Sequence, residues 1–168
     1  LNEGDYSDCK ISPKTLDLLA EFSVLTRLKD TASSTQTSKM KVYDGLSLKD
    51  VDPKAKTIRE YRAEARKAGL PLEGMTGIDR RLVFDTLSAT FNHNATRDGE
   101  KTADPVHLIA VLRAPMPNHT PLPNASRAKY LKHIDDHMKK SYLRHIDETI
   151  RAAALDGANG YAQSRFEQ

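Results

Sequence analysis

Three times in this chain a helix-capping residue stands directly before a proline: Ser12-Pro13, Asp52-Pro53 and Asp104-Pro105. A Ser or Asp side-chain oxygen accepts a hydrogen bond from the first helical turn. Proline in that turn lacks only an N–H that would have no intrahelical partner anyway. Each pair therefore predicts a helix start. No run alternates apolar and polar residues long enough to specify a strand. The predicted fold class is mainly α, a helical bundle.

Apolar spacing extends this reading. A first helix is predicted over 13–29, with Leu16, Leu19, Ala20, Val24 and Leu28 as its buried face. The Ser- and Thr-rich stretch 31–39 reads as a mobile loop, 40–45 as a short ordered piece ending in a turn, and 46–50 as a further short helix. A strongly charged helix is expected over 53–68. Its carboxylates Glu60 and Glu64 would pair along the helix with Arg62 and Arg66, leaving a solvated face. Further helices are predicted over 80–91, with Leu82, Val83, Leu87 and Phe91 inward, and over 105–113. Between them, 92–103 reads as a polar loop; the prolines of 114–124 imply an extended, rigid piece. The last long helix, 126–156, has Ser126 as its cap and Gly157 as its stop. Its stripe is Leu131, Ile134, Met138, Tyr142, Ile146, Ile150 and Ala153. The final residues, 161–168, read as the start of another helix. With no methionine at Leu1, both ends suggest a piece cut from a longer protein.

Composition narrows the classes. Hydrophobic residues are 38% and aromatics 6%, enough for a lean core. Charged residues are 29%, and no segment approaches a membrane span. The single cysteine, Cys9, rules out an internal disulfide and a cysteine-based metal site. With no signal segment, this suits a cytoplasmic protein. A net charge of +3 permits nucleic-acid binding without arguing for it.

The stretch most suggestive of function is Gly74-Met75-Thr76-Gly77-Ile78-Asp79-Arg80-Arg81-Leu82. Two glycines loosen a loop, Asp79 caps a helix, and two arginines follow in its first turn. A helix N-terminus already carries partial positive charge, so cations there are disfavoured. Two explanations are open: a bound anion such as a nucleotide phosphate offsets the cost, or the arginines point into solvent.

Other chemistry is largely missing. The chain has no G-x-x-x-x-G-K-[ST] phosphate loop, no dinucleotide fingerprint, and neither H-R-D nor D-F-G. Thr96-Arg97-Asp98 is a false echo in a polar loop. His133 and His137 lie opposite the Leu131/Met138 stripe while His145 falls on it. The three cannot converge on a metal, and the first two read as a solvated pair. The basic helix lacks an aromatic stacking platform, so nucleic acid is not the expected partner. Three N-x-[ST] triplets, at Asn94, Asn118 and Asn124, have no secretion signal to support them.

Three blocks carry a family resemblance: Thr15–Leu28 (TLDLLAEFSVLTRL), Lys39–Gly45 (KMKVYDG) and Glu73–Leu82 (EGMTGIDRRL). In this order they resemble the prokaryotic serine protein kinase PrkA family, most specifically over 11–91. That family joins an N-terminal AAA+ ATPase module to a C-terminal region labelled a kinase domain. The first two blocks also resemble the helical lid of AAA+ ATPases. There, a helix ending in an Arg-containing segment precedes a loop and a second helix bearing a "sensor 2" arginine aimed at the γ-phosphate of ATP. By motif position Arg81 matches that arginine, with Arg80 its neighbour. The family usually has a small residue where Arg80 stands, which leaves either arginine as the contact. It also has a His near an Ala-Pro where this chain reads Lys10-Ile-Ser-Pro13, and no role is carried to that spot.

The resemblance implies an AAA+ lid-like region over 1–103 and a C-terminal helical region over 104–168. It implies a parent protein that uses ATP and Mg²⁺ to phosphorylate protein serine, with no catalytic residue in this piece and no ATP bound by it alone. The implied partners are an upstream AAA+ core, protein substrates and a homo-oligomer. Two alternatives remain: a lid and substrate arm of an AAA+ machine for protein remodelling or proteolysis, and a helical interaction module.

Overall fold

The computed structural model describes residues 9–29, 34–48, 52–67, 74–93, 101–116 and 123–166. Among these the chain is mainly helical with one small sheet. The order is β1 (Cys9–Ile11), α1 (Thr15–Arg27), α2 (Gln36–Tyr43), α3 (Ile58–Lys67), α4 (Arg80–His93), β2 (Lys101–Ala103), α5 (Pro105–Arg113), α6 (Asn124–Lys132), a π-helical segment (His133–Met138) and α7 (Lys139–Phe166). No helix among the described residues is long and apolar enough to cross a membrane.

Of the three cap-proline pairs, one starts a helix. Asp104 accepts bonds from the backbone N–H of Val106 and His107 at 2.9 and 3.0 Å, and Pro105 opens α5. Ser12 is instead held by the sheet. Strands β1 and β2 pair in parallel, Cys9 opposite Lys101 and Ile11 opposite Ala103, and Ser12 N–H donates to the Ala103 carbonyl at 2.8 Å. Lys14 then takes a left-handed conformation, and α1 begins only at Thr15. Asp52 closes a local turn onto the N–H of Lys54 at 3.1 Å. The next helix waits for Thr57, whose hydroxyl accepts from Glu60 N–H while the Glu60 carboxylate accepts from Thr57 N–H at 2.7 Å. This reciprocal capping box is the real start signal of α3. Glu64 reaches back to Lys56 at 2.8 Å. Both carboxylates thus reach toward the N-terminal side of α3.

The core draws on Leu18, Leu19 and Phe22 of α1, Ile78, then Leu108, Ile109 and Leu112 of α5, Met116, Tyr130, and Ile134 and Met138 of the π segment. Phe22 meets Tyr130 edge to face, with ring centroids 6.2 Å apart. This face of α1 is partly rotated from the predicted one: Leu19 and Leu28 are buried as predicted, but Leu16, Ala20 and Val24 are exposed, while Leu18, Phe22 and Leu25 are buried. Both registers are helical, and the larger Phe22 decides between them by filling the space beside Tyr130. Helix α4 turns Leu82, Val83 and Leu87 against the core and buries Phe91, as its spacing predicts. It also buries Thr86 and Thr90, whose hydroxyls bond back to the carbonyls of Leu82 and Thr86 at 2.7 and 2.8 Å.

The last helical stretch departs most from expectation. It starts at Asn124 without a side-chain cap, so Ser126 is not its cap. It passes through a π segment and continues beyond Gly157 to Phe166. Residues 161–166 therefore continue the same helix. A π turn closes i to i+5 and advances fewer degrees per residue than an α turn. This re-phases the histidines: His133 and His137 are half-buried, not solvated. The predicted stripe holds through Ile146 and then ends, with Ile150 and Leu155 exposed.

Helix α2 occupies part of the predicted loop 31–39, and Leu46–Leu48 are not helical. Residues 31–33 of that loop and 49–50 of the predicted helix 46–50 fall outside the described residues. So do most of the 92–103 loop with its Thr96-Arg97-Asp98 echo, the centre of the proline stretch, and the Asn94 and Asn118 triplets.

Candidate functional site

The glycine loop before α4 is clamped. Gly74 and Gly77 both have positive φ, 88° and 122°. Arg27, in the last turn of α1, donates from its guanidinium to the carbonyls of Gly74 and Ile78, at 3.3 and 2.7 Å. Gly74 N–H donates to the Arg27 carbonyl at 3.3 Å, and Ile78 N–H to the Thr26 hydroxyl at 3.3 Å. Ile78 is buried in the core. Gly77 packs so tightly that a Cβ there would stand 2.7 Å from Arg27 Cγ and 2.9 Å from the Thr26 carbonyl oxygen. Gly77 thus serves close approach, while Gly74 supplies a positive φ in open space.

On this anchored loop the start of α4 is set by Asp79, whose carboxylate accepts from Leu82 N–H at 2.6 Å. Arg80 and Arg81 follow, both exposed. The Arg81 side chain is 88% accessible and its Nε lies 3.7 Å from the Asp85 carboxylate one turn on. An exposed pair at that distance contributes little. Asp79 and Asp85 temper the local positive charge, and both guanidinia remain open to a ligand arriving from outside the chain. The spacing of the loop placed Arg80 and Arg81; it did not reveal Arg27. That residue stands next to last in the first block of the family resemblance, which is the available signal.

A second polar cluster joins α1 to the π segment. Glu21 accepts from Lys14 Nζ at 2.8 Å and lies 2.9 Å from His137 Nε2. Burial pushes the Glu21 carboxyl up, but the hydrogen bonds from His137 and Lys14 outweigh it and hold the pKa at about 2. A third stands at the start of α5, where Asp104 also meets His107 Nδ1 at 2.5 Å. There burial again pushes upward, and the bonds from His107 pull the carboxyl below its usual range. The Glu21 cluster ties α1 to the π segment, and the Asp104 cluster caps α5. Among the described residues no group of three or more His, Cys, Asp or Glu side chains is placed to hold a metal ion.

Comparison with known proteins fits this arrangement to a family. The chain is 38% identical over its whole length to the serine/threonine kinase YeaG of Escherichia coli strain K12, covering 25% of that protein. It is 30% identical over 140 residues, 82% of its length, to the ATP-dependent protease PrkA of Bacillus subtilis strain 168, covering 20% of that protein. The chain thus spans about a quarter or less of the curated relatives it matches. No solved structure matches it. The family model described as the PrkA serine protein kinase C-terminal domain matches residues 37–168, and the chain belongs to that family.

Proposed function

We propose that this chain forms the helical lid and following arm of an ATP-dependent serine protein kinase of the PrkA type. Arg81, with Arg80 beside it, contacts the terminal phosphate of ATP held by an upstream AAA+ core. The supporting observation is the clamp itself. Arg27 fixes the Gly74–Asp79 loop to the end of α1, and that fixed loop presents two exposed guanidinia. A guanidinium forks onto phosphate oxygens and keeps its charge at any physiological pH. ATP supplies the phosphoryl group. This chain's own part is to position cations against it and, by moving with the lid, to register whether it is present.

The residues fit a terminal phosphate and no more. No G-x-x-x-x-G-K-[ST] cradle exists in the sequence, and Mg²⁺ would be held outside this chain. The proposed partners are the upstream core, protein substrates and further copies of the parent, in the cytoplasm. A second reading has its own support, because the Bacillus subtilis relative is named an ATP-dependent protease. In that reading the same lid couples ATP hydrolysis to protein remodelling or degradation. One substrate protein, incubated with the full-length parent and ATP, separates the two. Phosphoserine on intact substrate supports the kinase. ATP-dependent fragments without phosphoserine refute it.

A further inference from the structure

A cleft of about 1330 Å³ opens between the α1–α2 junction and the long C-terminal helical stretch. Neither Arg80 nor Arg81 lines it, so it is independent of the phosphate-sensing assignment. Among the described residues its walls carry Lys29, Lys129, Lys132, Lys140 and Arg144 against one carboxylate, Asp136. Asp136 pairs with Lys140 at 3.8 Å and offsets one of these charges, leaving the wall net positive. Opposite stand Thr35 and Thr37 at the start of α2. The π segment forms the middle of the basic wall and turns His133 and His137 toward it. Such segments recur at functional positions because they re-aim side chains.

We propose that this cleft docks an extended, acidic segment of a partner protein. Its volume exceeds the roughly 300–1,000 Å³ of pockets that enclose small molecules. From Ala125 to Arg144 the basic wall runs roughly 28 Å at 1.5 Å per residue. An extended peptide of about eight residues covers that length. Among the described residues the lining holds no Phe, Tyr or Trp, so bases find only the half-buried His133 and His137 to stack on and a single-stranded nucleic acid is the poorer fit. Four of the five cations are lysines, point charges on flexible stems that suit irregularly spaced carboxylates. Charge complementarity of this kind sets partner choice and encounter rate.

The test is fluorescence anisotropy on the full chain with a labelled peptide of about eight residues rich in Asp and Glu. Saturable binding that weakens as salt rises is expected. The double variant Lys132→Glu, Arg144→Glu should weaken it roughly tenfold or more. Lys67→Glu, on exposed α3 away from the cleft, should leave it unchanged. Circular dichroism checks that each variant is folded. If the reversals unfold the chain, Lys132→Gln with Arg144→Gln serves the same purpose and should still weaken binding. Three results overturn the proposal: no binding, equal binding by the cleft variants, or tighter binding of an oligothymidylate of equal charge. Ready displacement of the peptide by inorganic phosphate or ATP also overturns it, assigning the cleft to a small anion.

Discussion

Replacing Gly77 by alanine tests whether the loop beneath Arg80 and Arg81 is held as described. The φ of 122° is a conformation that L side chains rarely adopt, which costs about 1–3 kcal/mol. The new Cβ would also stand 2.9 Å from the Thr26 carbonyl oxygen and 2.7 Å from Arg27 Cγ. Thr26 is backbone in the last turn of α1 and cannot retreat alone. Arg27 can swing aside, but then loses its bonds to the Gly74 and Ile78 carbonyls. Charged hydrogen bonds of that kind contribute about 1.5–3 kcal/mol. Together these give a destabilisation of about 2.5–6 kcal/mol, a large share of the roughly 5–15 kcal/mol expected of a domain. Gly74→Ala is the matched control. Its φ is 88°, yet nothing stands within 4 Å of its Cβ, so only the backbone term of about 1 kcal/mol applies. Urea unfolding followed by circular dichroism should show a lower midpoint at unchanged slope for both, with Gly77→Ala far the larger. Equal effects at the two glycines would refute the clamp.

Two further expectations concern charge. Glu21 has its carboxyl depressed from 4.5 to about 2, so its contribution is fully present above pH 4.5 and is lost as pH falls toward 2. With solvent screening at this half-buried carboxylate the contribution is on the order of 1–2 kcal/mol, and Glu21→Gln should flatten the acid limb of a stability-versus-pH curve measured by urea titration. Arg81→Ala, by contrast, should change stability by under about 0.5 kcal/mol, because an exposed side chain 3.7 Å from its partner contributes little; a large drop in thermal midpoint would make the arginine structural.

The sequence exposed what local chemistry controls and concealed what distant pairing controls. Asp104-Pro105 opens a helix because its partners are the next two N–H groups. Ser12-Pro13 has the same form, but Ala103 claims Ser12 from about ninety residues away, and two three-residue strands carry no readable alternation. Thr57-Ile-Arg-Glu60 carries a capping-box pattern, but Asp52-Pro53 just before it carries helix-start chemistry too, and local spacing does not choose between them. The π segment was not legible, since nothing in His133–Met138 announces a wider turn, and it carried the histidines inward. At the candidate site, the Asp79 cap and the two arginines followed from spacing. The role of Arg27 did not, because its bonds span 47 and 51 residues.

The central claim is that Arg81 acts on a nucleotide this chain does not itself enclose. The most direct measurement compares ATP turnover and ATP affinity of the full-length parent with those of its Arg81→Ala and Arg80→Ala variants. The account predicts that Arg81→Ala lowers turnover strongly, leaves folding intact, and weakens ATP binding far less than it slows hydrolysis. Unchanged turnover in both variants would contradict it.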